Sequence, residues 1–257
     1  MNNQQKWVAF STIVRREIRR FMRIWPQTLV PPVITMALYF VIFGKLIGSR
    51  IGEMSDLPYI QFVAPGLIMM SIITNSYANV VSSFFGSKFQ RNIEELLVSP
   101  TPSWIILAGY VVGGMCRGIG VGLIVTLLSL YFAEFSLHSI PVTVGIVLMT
   151  ALMFSLAGLI NAIFANSFDD ISIIPTFVLT PLIYLGGVFY SIDLLGGLWK
   201  AISLFNPILY MVNAFRYGMV GITDINIVGS FAMVGLFSAL LFTVALFLLE
   251  KGSRLRS

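Results

Sequence analysis

The sequence predicts an all-α, polytopic membrane protein with six transmembrane helices. Of its 257 residues, 57% are hydrophobic and only 11% are charged, whereas a soluble domain carries about 25% charged residues. The hydrophobic residues fall into long segments, and a helix needs about 20 residues to cross the hydrocarbon core of a bilayer. We therefore predict one membrane domain over residues 1–257, without a soluble domain.

Residues 7–25 are predicted to form an amphipathic helix that lies in the membrane surface. Apolar side chains recur every three or four positions from Trp7 to Phe21, which is the spacing of one helical face. The opposite face is basic and carries Arg15, Arg16, Arg19, Arg20 and Arg23. Such a helix turns its apolar face toward the lipid and its arginines toward anionic headgroups. Simple anchoring and the bracing of a cytoplasmic partner both agree with this pattern.

Six apolar segments are each long enough to span the membrane. They are residues 27–47, 60–86, 104–132, 141–165, 171–190 and 227–249. Glycines in the third segment indicate close helix packing, and they are Gly109, Gly113, Gly114, Gly118, Gly120 and Gly122. In the fifth segment Pro175 and Pro181 predict a bend, because each proline leaves a backbone carbonyl without its usual donor.

Residues 191–221 are predicted to form an external re-entrant hairpin between the fifth and sixth spans. Two apolar pieces are separated by Asn206-Pro207, and each piece is too short to cross a membrane. Lys200 and Arg216 also oppose a position that faces lipid. Because re-entrant backbone needs protein or water around it, this segment implies a packed assembly.

The distribution of basic residues orients the chain. With the N-terminus inside, 11 of the 16 Lys and Arg residues lie in cytoplasmic segments, four lie in external ones, and Arg117 alone lies within a span. This asymmetry places both termini in the cytoplasm. A cleavable signal would show a short basic region before about 7–15 apolar residues. The first 25 residues are amphipathic instead, so we expect the N-terminus to be retained.

Residues 88–103 form a charged cytoplasmic interruption between the second and third spans. Ile93, Leu96 and Leu97 share one helical face, and two prolines beyond them prevent the helix from continuing into the next span. The segment is therefore predicted to be a short amphipathic helix. An ordinary loop is the alternative.

One face of the second span is small and polar. Ser71, Asn75, Asn79 and Ser82 recur at helical spacing, and such stripes favour close contact between helices. The stripe predicts either a packing or dimer interface or the lining of a translocation path. Both interpretations hold if the path follows a dimer interface.

Arg117 lies about mid-depth in the third span, where a charge is costly and often functional. It could contact an anionic substrate or tie two helices together. Alternatively, it could reach a headgroup or pair with a backbone carbonyl.

The sequence lacks the motifs of an enzyme. It contains no phosphate-binding loop, no HExxH and no GxSxG motif, and it has a single histidine, His138, and a single cysteine, Cys116. Asp169 and Asp170 are adjacent, so on a helix their side chains would diverge by about 100°. We expect no catalytic, metal-binding or cofactor-binding residues, no ATP hydrolysis by this chain and no nucleic-acid partner.

Two stretches resemble the permease of a type-2 ABC exporter, the ABC-2 type transporter family. The sequence RNIEELLVSP at residues 91–100 resembles the family's loop between spans two and three. LGGVFY at residues 185–190 begins a segment that resembles the region before the last span of the family. That region continues with Leu198-Trp199, Asn206-Pro207-Ile208-Leu209-Tyr210 and Phe215-Arg216. The resemblance covers nearly the whole chain, and its length is closest to bacterial permeases whose ATPase is a separate polypeptide.

The resemblance implies that residues 91–97, beginning at Arg91, form a coupling helix that docks on a nucleotide-binding subunit. Glu94 and Glu95 would pair with basic residues of that subunit. Leu96 and Leu97 would fill an apolar cleft on it.

The resemblance also implies roles for the amphipathic surface helix and for the re-entrant hairpin. Arg15 and Arg19 would brace the same subunit. The hairpin over residues 194–219 would cap the external end of the pathway, and its marked residues are Trp199, Asn206, Pro207, Tyr210 and Arg216.

The resemblance further implies a homodimer in a bacterial inner membrane, in contact with membrane lipid and coupled to two separate ATPase subunits that carry ATP and Mg²⁺. Its cargo would be amphipathic, lipid-linked or drug-like and would be exported. The alternative is an ion-coupled secondary transporter or channel. That alternative would need convergent carboxylates within the spans, whereas the 11 acidic residues fall in links or at span ends.

Overall fold

The computed structural model describes residues 1–134 and 137–252. Its helices are α1 Asn3–Arg23, α2 Trp25–Tyr39, α3 Gly48–Ile51, α4 Tyr59–Phe89, α5 Asn92–Val98, α6 Ser103–Ser129, α7 Ile140–Phe164, α8 Asp170–Ile174, α9 Thr180–Tyr184, α10 Gly197–Leu204, α11 Pro207–Val220 and α12 Ile227–Lys251. π-helical segments join α2 to α3 and α8 to α9, and they span Phe40–Ile47 and Pro175–Leu179. Ile192–Leu194 form a 3₁₀ turn. Arg254 and Arg256 belong to the predicted cytoplasmic tail and are among the 11 basic residues assigned to that side. Both lie outside the described residues.

The prediction of an all-α membrane protein is confirmed. In the part of the chain that the structure describes, five helices are long and apolar enough to cross a membrane: Trp25–Ile51, Tyr59–Phe89, Ser103–Ser129, Ile140–Phe164 and Ile227–Lys251. They correspond to the predicted spans one to four and six. Between the first two spans, the two-residue strands β1 Glu53–Met54 and β2 Leu57–Pro58 pair in an antiparallel hairpin.

The predicted fifth span is shorter in the structure than in the prediction. It runs from Asp170 to Tyr184 in three consecutive helical pieces of five residues each. At a rise of 1.5 Å per residue, these pieces have a total length of about 22 Å. The hydrocarbon core of a bilayer is about 30 Å thick, so the segment is too short to cross it. The helix stops because the chain turns at Gly187, where φ is +68°. A sixth crossing therefore stays a prediction.

The predicted bend in this segment coincides with its first proline. The π-helical stretch begins at Pro175, and the Thr180 hydroxyl donates a hydrogen bond of 2.9 Å to the Pro175 carbonyl. Proline cannot donate to the helical ladder, and π-helical turns are a common way to accommodate such a break.

Helix α4 forms the centre of the molecule. It packs against α6 and α7 along its length and against α11 at one end, so that most of its side chains from Phe62 to Phe85 are buried. Helix α12 packs on α7 and α11, and most of its apolar side chains are exposed or half-buried. This arrangement explains why the polar stripe occurs in α4, since only a helix that is surrounded by protein can satisfy amides and hydroxyls away from water.

Glycines of α6 let neighbouring helices approach closely. A methyl group at Gly114, Gly118 or Gly122 would collide with α4 side chains, and one at Gly109 or Gly113 would collide with α1. The prediction of close packing is confirmed at these five positions. Gly120 is different, because a methyl group there would meet no atom within 4 Å.

The predicted hairpin is built from two short helices, as the sequence indicates. Helix α10 has 8 residues and α11 has 14, and the break falls at Asn206. The Asn206 side chain accepts a hydrogen bond from the Ile208 N–H at 3.0 Å and donates one to the Leu182 carbonyl at 2.6 Å. Entry of this hairpin into the membrane from the external side stays a prediction.

Replacing Gly118 by alanine should destabilise the protein, because the new methyl group would be forced against Ser76 and the Ile72 carbonyl of α4. Overpacking of this kind costs about 1–3 kcal/mol. Gly120→Ala, two positions along the same helix, is the matched control and should stabilise α6 by about 0.5–1 kcal/mol, because alanine loses less backbone entropy than glycine. Melting temperatures of the detergent-purified variants test this. Equal melting temperatures would contradict the close contact between α4 and α6.

Candidate functional site

The segment between α4 and α6 forms the predicted helix, shifted by one residue. Helix α5 begins at Asn92 and ends at Val98. Arg91, predicted to be its first residue, precedes the helix with a left-handed φ of +61°. After the helix, the chain is extended at Ser99, ahead of Pro100, because a residue before proline is disfavoured in helical conformation.

The apolar face of α5 is turned toward its own chain. Ile93 is fully buried, and Leu96 and Leu97 are half-buried against the same hydrophobic core. Both leucines contact this chain and stay partly exposed, and their implied role in filling an apolar cleft on a partner stays a prediction. The apolar side chain that α5 leaves free is Val98, which is 82% exposed.

The charged residues of α5 differ in exposure. Glu95 is exposed and Glu94 is half-buried. Neither carboxylate forms an ion pair with another described residue under 4.0 Å. Together with Val98 and Arg91, Glu95 forms a surface that another molecule can contact. We call these three residues the exposed face of α5.

The chain just before α5 is held firmly against α7. The Lys88 ammonium donates hydrogen bonds to the carbonyls of Ile163 and Ala165, at 2.8 and 2.7 Å, which a cation does favourably at a helix C-terminus. Phe89 packs edge-on against Phe168 with ring centroids 5.0 Å apart. These contacts connect the base of α5 to α7 and to the loop that follows it.

Helix α1 contacts α4 and α6 through polar groups that the sequence pattern did not reveal. Glu17 is only 1% exposed, and its carboxylate lies 3.3 Å from Arg16 and 3.4 Å from Arg20. Arg16 donates to the Tyr110 hydroxyl at 2.6 Å, and Arg20 donates to the carbonyl and the side-chain oxygen of Asn79, both at 2.9 Å. The sequence feature that could have indicated these contacts is that Glu17 is the single acidic residue among the arginines of this helix.

The Arg16 guanidinium keeps its charge at this junction. Burial opposes that charge, but the contacts with Tyr110 and Glu17 outweigh burial and raise the pKa of Arg16 above its ordinary value. Arg15 and Arg19 are exposed on the same helix. Within residues 1–134 and 137–252, neither forms a side-chain hydrogen bond or an ion pair.

The polar stripe of α4 is largely an interface inside one chain. Ser71, Asn75 and Asn79 are buried within this chain, which agrees with the packing interpretation, and their place along a path or a dimer interface stays a prediction. The side-chain oxygens of Asn75 and Asn79 accept hydrogen bonds from arginines of α6 and α1, whereas the Ser71 hydroxyl donates to the Ile68 carbonyl within α4. Only Ser82 is exposed and within reach of another molecule.

Arg117 ties helices together. Its guanidinium donates to the Asn75 side-chain oxygen at 3.3 Å and to the Thr28 carbonyl at 3.5 Å. These contacts connect α6 to α4 and α2. Among the alternatives considered for Arg117, the structure therefore shows the connection of helices and the hydrogen bond to a backbone carbonyl.

Arg216 anchors the hairpin in the interior. It is 1% exposed and donates to the carbonyls of Phe62 at 3.1 Å and Gly187 at 2.7 Å. Its guanidinium carbon also lies 3.8 Å from the centroid of the Phe62 ring, a favourable cation–π position. These contacts join α11 to α4 and to the turn that ends the short fifth segment.

The other marked residues of the hairpin are structural or peripheral. Pro207 begins α11 and is buried, and the Tyr210 hydroxyl donates to the Leu204 carbonyl at 2.8 Å. Trp199 is 55% exposed on α10. Trp199 therefore has the exposure expected of an interfacial anchor.

The acidic residues of the described segments do not converge. No group of three or more His, Cys, Asp or Glu side chains among them could hold a metal ion. Asp170 accepts hydrogen bonds from the backbone N–H groups of Asn166 and Ser167 at 2.8 and 3.2 Å. This carboxylate orders the loop between α7 and α8.

Residues 8–220 match the model of the ABC-2 type transporter family, and the chain belongs to that family. It is therefore a multi-pass transport permease. It is 58% identical over 251 residues to the inner membrane transport permease YadH of Escherichia coli K12, with 98% of each chain covered. It is also 25% identical over 219 residues to nodulation protein J of Rhizobium leguminosarum bv. viciae, with 83% of each chain covered. The corresponding protein of Neorhizobium galegae is 21% identical over 246 residues, 95% of this chain and 93% of its own.

Replacing Glu17 by glutamine should loosen α1, because the Arg16 and Arg20 charges would lose their buried counter-charge. Removing one partner of a buried pair costs about 3–5 kcal/mol, and the partial exposure of both arginines places the effect near the lower end. Trypsin should cleave after Arg15 and Arg19 faster in this variant than in the wild type. The control is Glu250→Gln at an exposed position, with an expected change within about 0.5 kcal/mol. Unchanged cleavage in Glu17→Gln would contradict the role of the buried carboxylate.

Replacing Arg216 by lysine should destabilise the hairpin even though it preserves the charge. A lysine ammonium cannot reproduce the planar fork that reaches two carbonyls, and a hydrogen bond to a charged group contributes about 1.5–3 kcal/mol. Lys200→Arg, on the partly exposed ion pair with Asp193, is the control and should change stability by less than about 0.5 kcal/mol. Thermal unfolding in detergent measures both. If Arg216→Lys had the melting temperature of the wild type, the hydrogen bonds of Arg216 would not be what holds the hairpin in the interior.

Proposed function

We propose that this chain is the permease subunit of an ATP-driven exporter that works as a homodimer with two separate ATPase subunits. The observation that carries the proposal is the exposed face of α5, which presents Arg91, Glu95 and Val98 on a helix whose base is fixed to the transmembrane core. A charged, partly apolar helix held in this way is suited to receive force from another protein. The chain itself acts as a transport component and leaves ATP hydrolysis to its partner.

Docking would use charge and apolar contact together. Glu94 and Glu95 would pair with basic residues of the ATPase, and Val98 would enter an apolar cleft there together with the partly exposed Leu96 and Leu97. Arg15 and Arg19 on α1 would contact the same subunit from the side. Because several modest contacts act together, loss of the charges should weaken coupling more than it weakens folding.

Movement of α5 would be transmitted through rigid contacts. Lys88 and Phe89 attach its base to α7 and the following loop, while α4 and α6 flank it in sequence and pack closely. ATP-driven approach of the two ATPase subunits would shift these helices together and alternate the access of a central path between two copies of the chain. The hairpin of α10 and α11 would close the external end.

An amphipathic, lipid-linked or drug-like cargo fits the weakly charged transmembrane surface. The Escherichia coli relatives named inner membrane transport permease YadH support a bacterial transport role for this scaffold. They leave the identity of the cargo for this chain to be determined by experiment.

Purification of the tagged permease from its native membrane tests the partner directly. An ATP-binding subunit should co-purify, and transport in reconstituted vesicles should require ATP. If the chain purifies alone and transports cargo without nucleotide, the proposal is wrong and an ion-coupled transporter or channel takes its place.

Glu94→Ala with Glu95→Ala should leave the permease folded but uncouple ATP hydrolysis from transport. The expected loss of transport is about tenfold or more, since each charge-assisted contact contributes about 1.5–3 kcal/mol. Glu53→Ala with Asp56→Ala removes the same charge in the link between α3 and α4 and should retain wild-type coupling. If the α5 variant transported as much cargo per ATP hydrolysed as the wild type does, these two carboxylates of α5 would have no role in coupling.

A further inference from the structure

A groove of about 1150 Å³ lies between α1 and the end of α4 that leads into α5. Its basic wall consists of Arg15, Arg16, Arg19, Arg20 and Arg23. Its opposite wall is polar and consists of Ser82, Ser83, Gly86, Ser87, Gln90 and Asn92. Ligand sites typically enclose about 300–1,000 Å³, so the groove is large enough for a headgroup rather than for a single ion alone.

The groove carries an uncompensated positive charge. Five guanidinium groups line it with one carboxylate, that of Glu17, and Glu17 is buried against Arg16 and Arg20. Arg23, like Arg15 and Arg19, is exposed and forms no side-chain hydrogen bond or ion pair with another described residue. These three arginines are therefore available to bind an anion.

The floor of the groove on α4 is open. Ser82 is exposed, and a methyl group at Gly86 would meet no atom within 4 Å. The Ser87 hydroxyl accepts a hydrogen bond from the Tyr110 hydroxyl at 3.0 Å, so its own proton adds a donor beside the arginines. Arginine binds phosphate oxygens with its planar fork of N–H groups, often through two parallel hydrogen bonds.

The position of the groove matches the headgroup level of a membrane. Arg23 ends α1, and the 27-residue apolar span begins at Trp25. Trp7 in α1 and Trp25 at the start of α2 are 67% and 54% exposed, and tryptophan is enriched where membrane meets water. Basic residues beside such a boundary attract anionic lipids of the cytoplasmic leaflet.

We propose that this groove is a specific site for the phosphate headgroup of a resident anionic phospholipid. Arg15, Arg19 and Arg23 donate to the phosphate oxygens, and the Ser87 hydroxyl donates to the same headgroup. A lipid is favoured over an acidic protein segment because the groove opens beside the first residues of a transmembrane span. Contact of Arg15 and Arg19 with an ATPase remains compatible, since each guanidinium has several N–H donors.

Native mass spectrometry of the purified full-length chain tests the site without any ATPase. The probes are phosphatidylglycerol and phosphatidylcholine with identical acyl chains, so that only the headgroup differs. The wild type should bind the first phosphatidylglycerol about tenfold more tightly than phosphatidylcholine, the effect of one charge-assisted hydrogen bond. Arg19→Gln with Arg23→Gln should abolish this preference while phosphatidylcholine binding stays unchanged, which also shows that the variant is folded.

The charge-matched control is Lys6→Gln with Arg50→Gln, which removes two positive charges outside the groove and should retain the preference. A preference that survives in Arg19→Gln with Arg23→Gln, or that disappears equally in the control, would overturn the proposal. Inorganic phosphate that displaces phosphatidylglycerol at equal concentration would identify a free-anion site instead. Displacement by an oligoglutamate peptide would identify an acidic protein segment as the occupant.

Discussion

The close contact between α4 and α6 positions α5 and α1, the two segments that we predict to face the cytoplasm. Gly114, Gly118 and Gly122 bring the two helices to a separation that no larger residue allows, as small residues commonly do between membrane helices. Because α5 is the segment that joins these helices, its place and orientation follow from their contact. Helix α1 uses the next glycines along α6, Gly109 and Gly113, so the surface helix depends on the same packing.

Charged arginine side chains inside this protein are stabilised by hydrogen bonds to oxygen atoms of the backbone and of amide side chains. Arg20, Arg117 and Arg216 each donate to carbonyl or amide oxygens of a different helix, and one carboxylate, Glu17, is buried near the first of them. A guanidinium that is bonded in this way fixes the angle between helices, since its donors lie in one plane. The polar stripe of α4 supplies two of the acceptors, Asn75 and Asn79. Polar residues that look suited to a pathway therefore hold the bundle together.

The sequence predicted most of the helices because their lengths follow from the thickness of the membrane. It also predicted α5 to within one residue and the break at Asn206, since proline and asparagine act locally. The shortened fifth segment was missed because its end is set by the turn at Gly187, which depends on Arg216 from a distant helix. Likewise, the burial of Glu17 and the exposure of Val98 depend on how α1 and α5 are rotated against α4 and α6. Periodicity identifies helical faces, but tertiary contacts decide which face is covered.

The central claim is that the exposed face of α5 receives the ATPase, and thiol modification at Val98 measures it most directly. Val98→Cys in a Cys116→Ser background would place a single thiol on that face. We predict that a charged maleimide modifies this thiol rapidly in the permease alone and slowly when the co-purifying ATPase is bound. A cysteine at Ile51, in α3 and far along the chain from α5, should react equally in both states. Equal rates at position 98 with and without the ATPase would contradict the account.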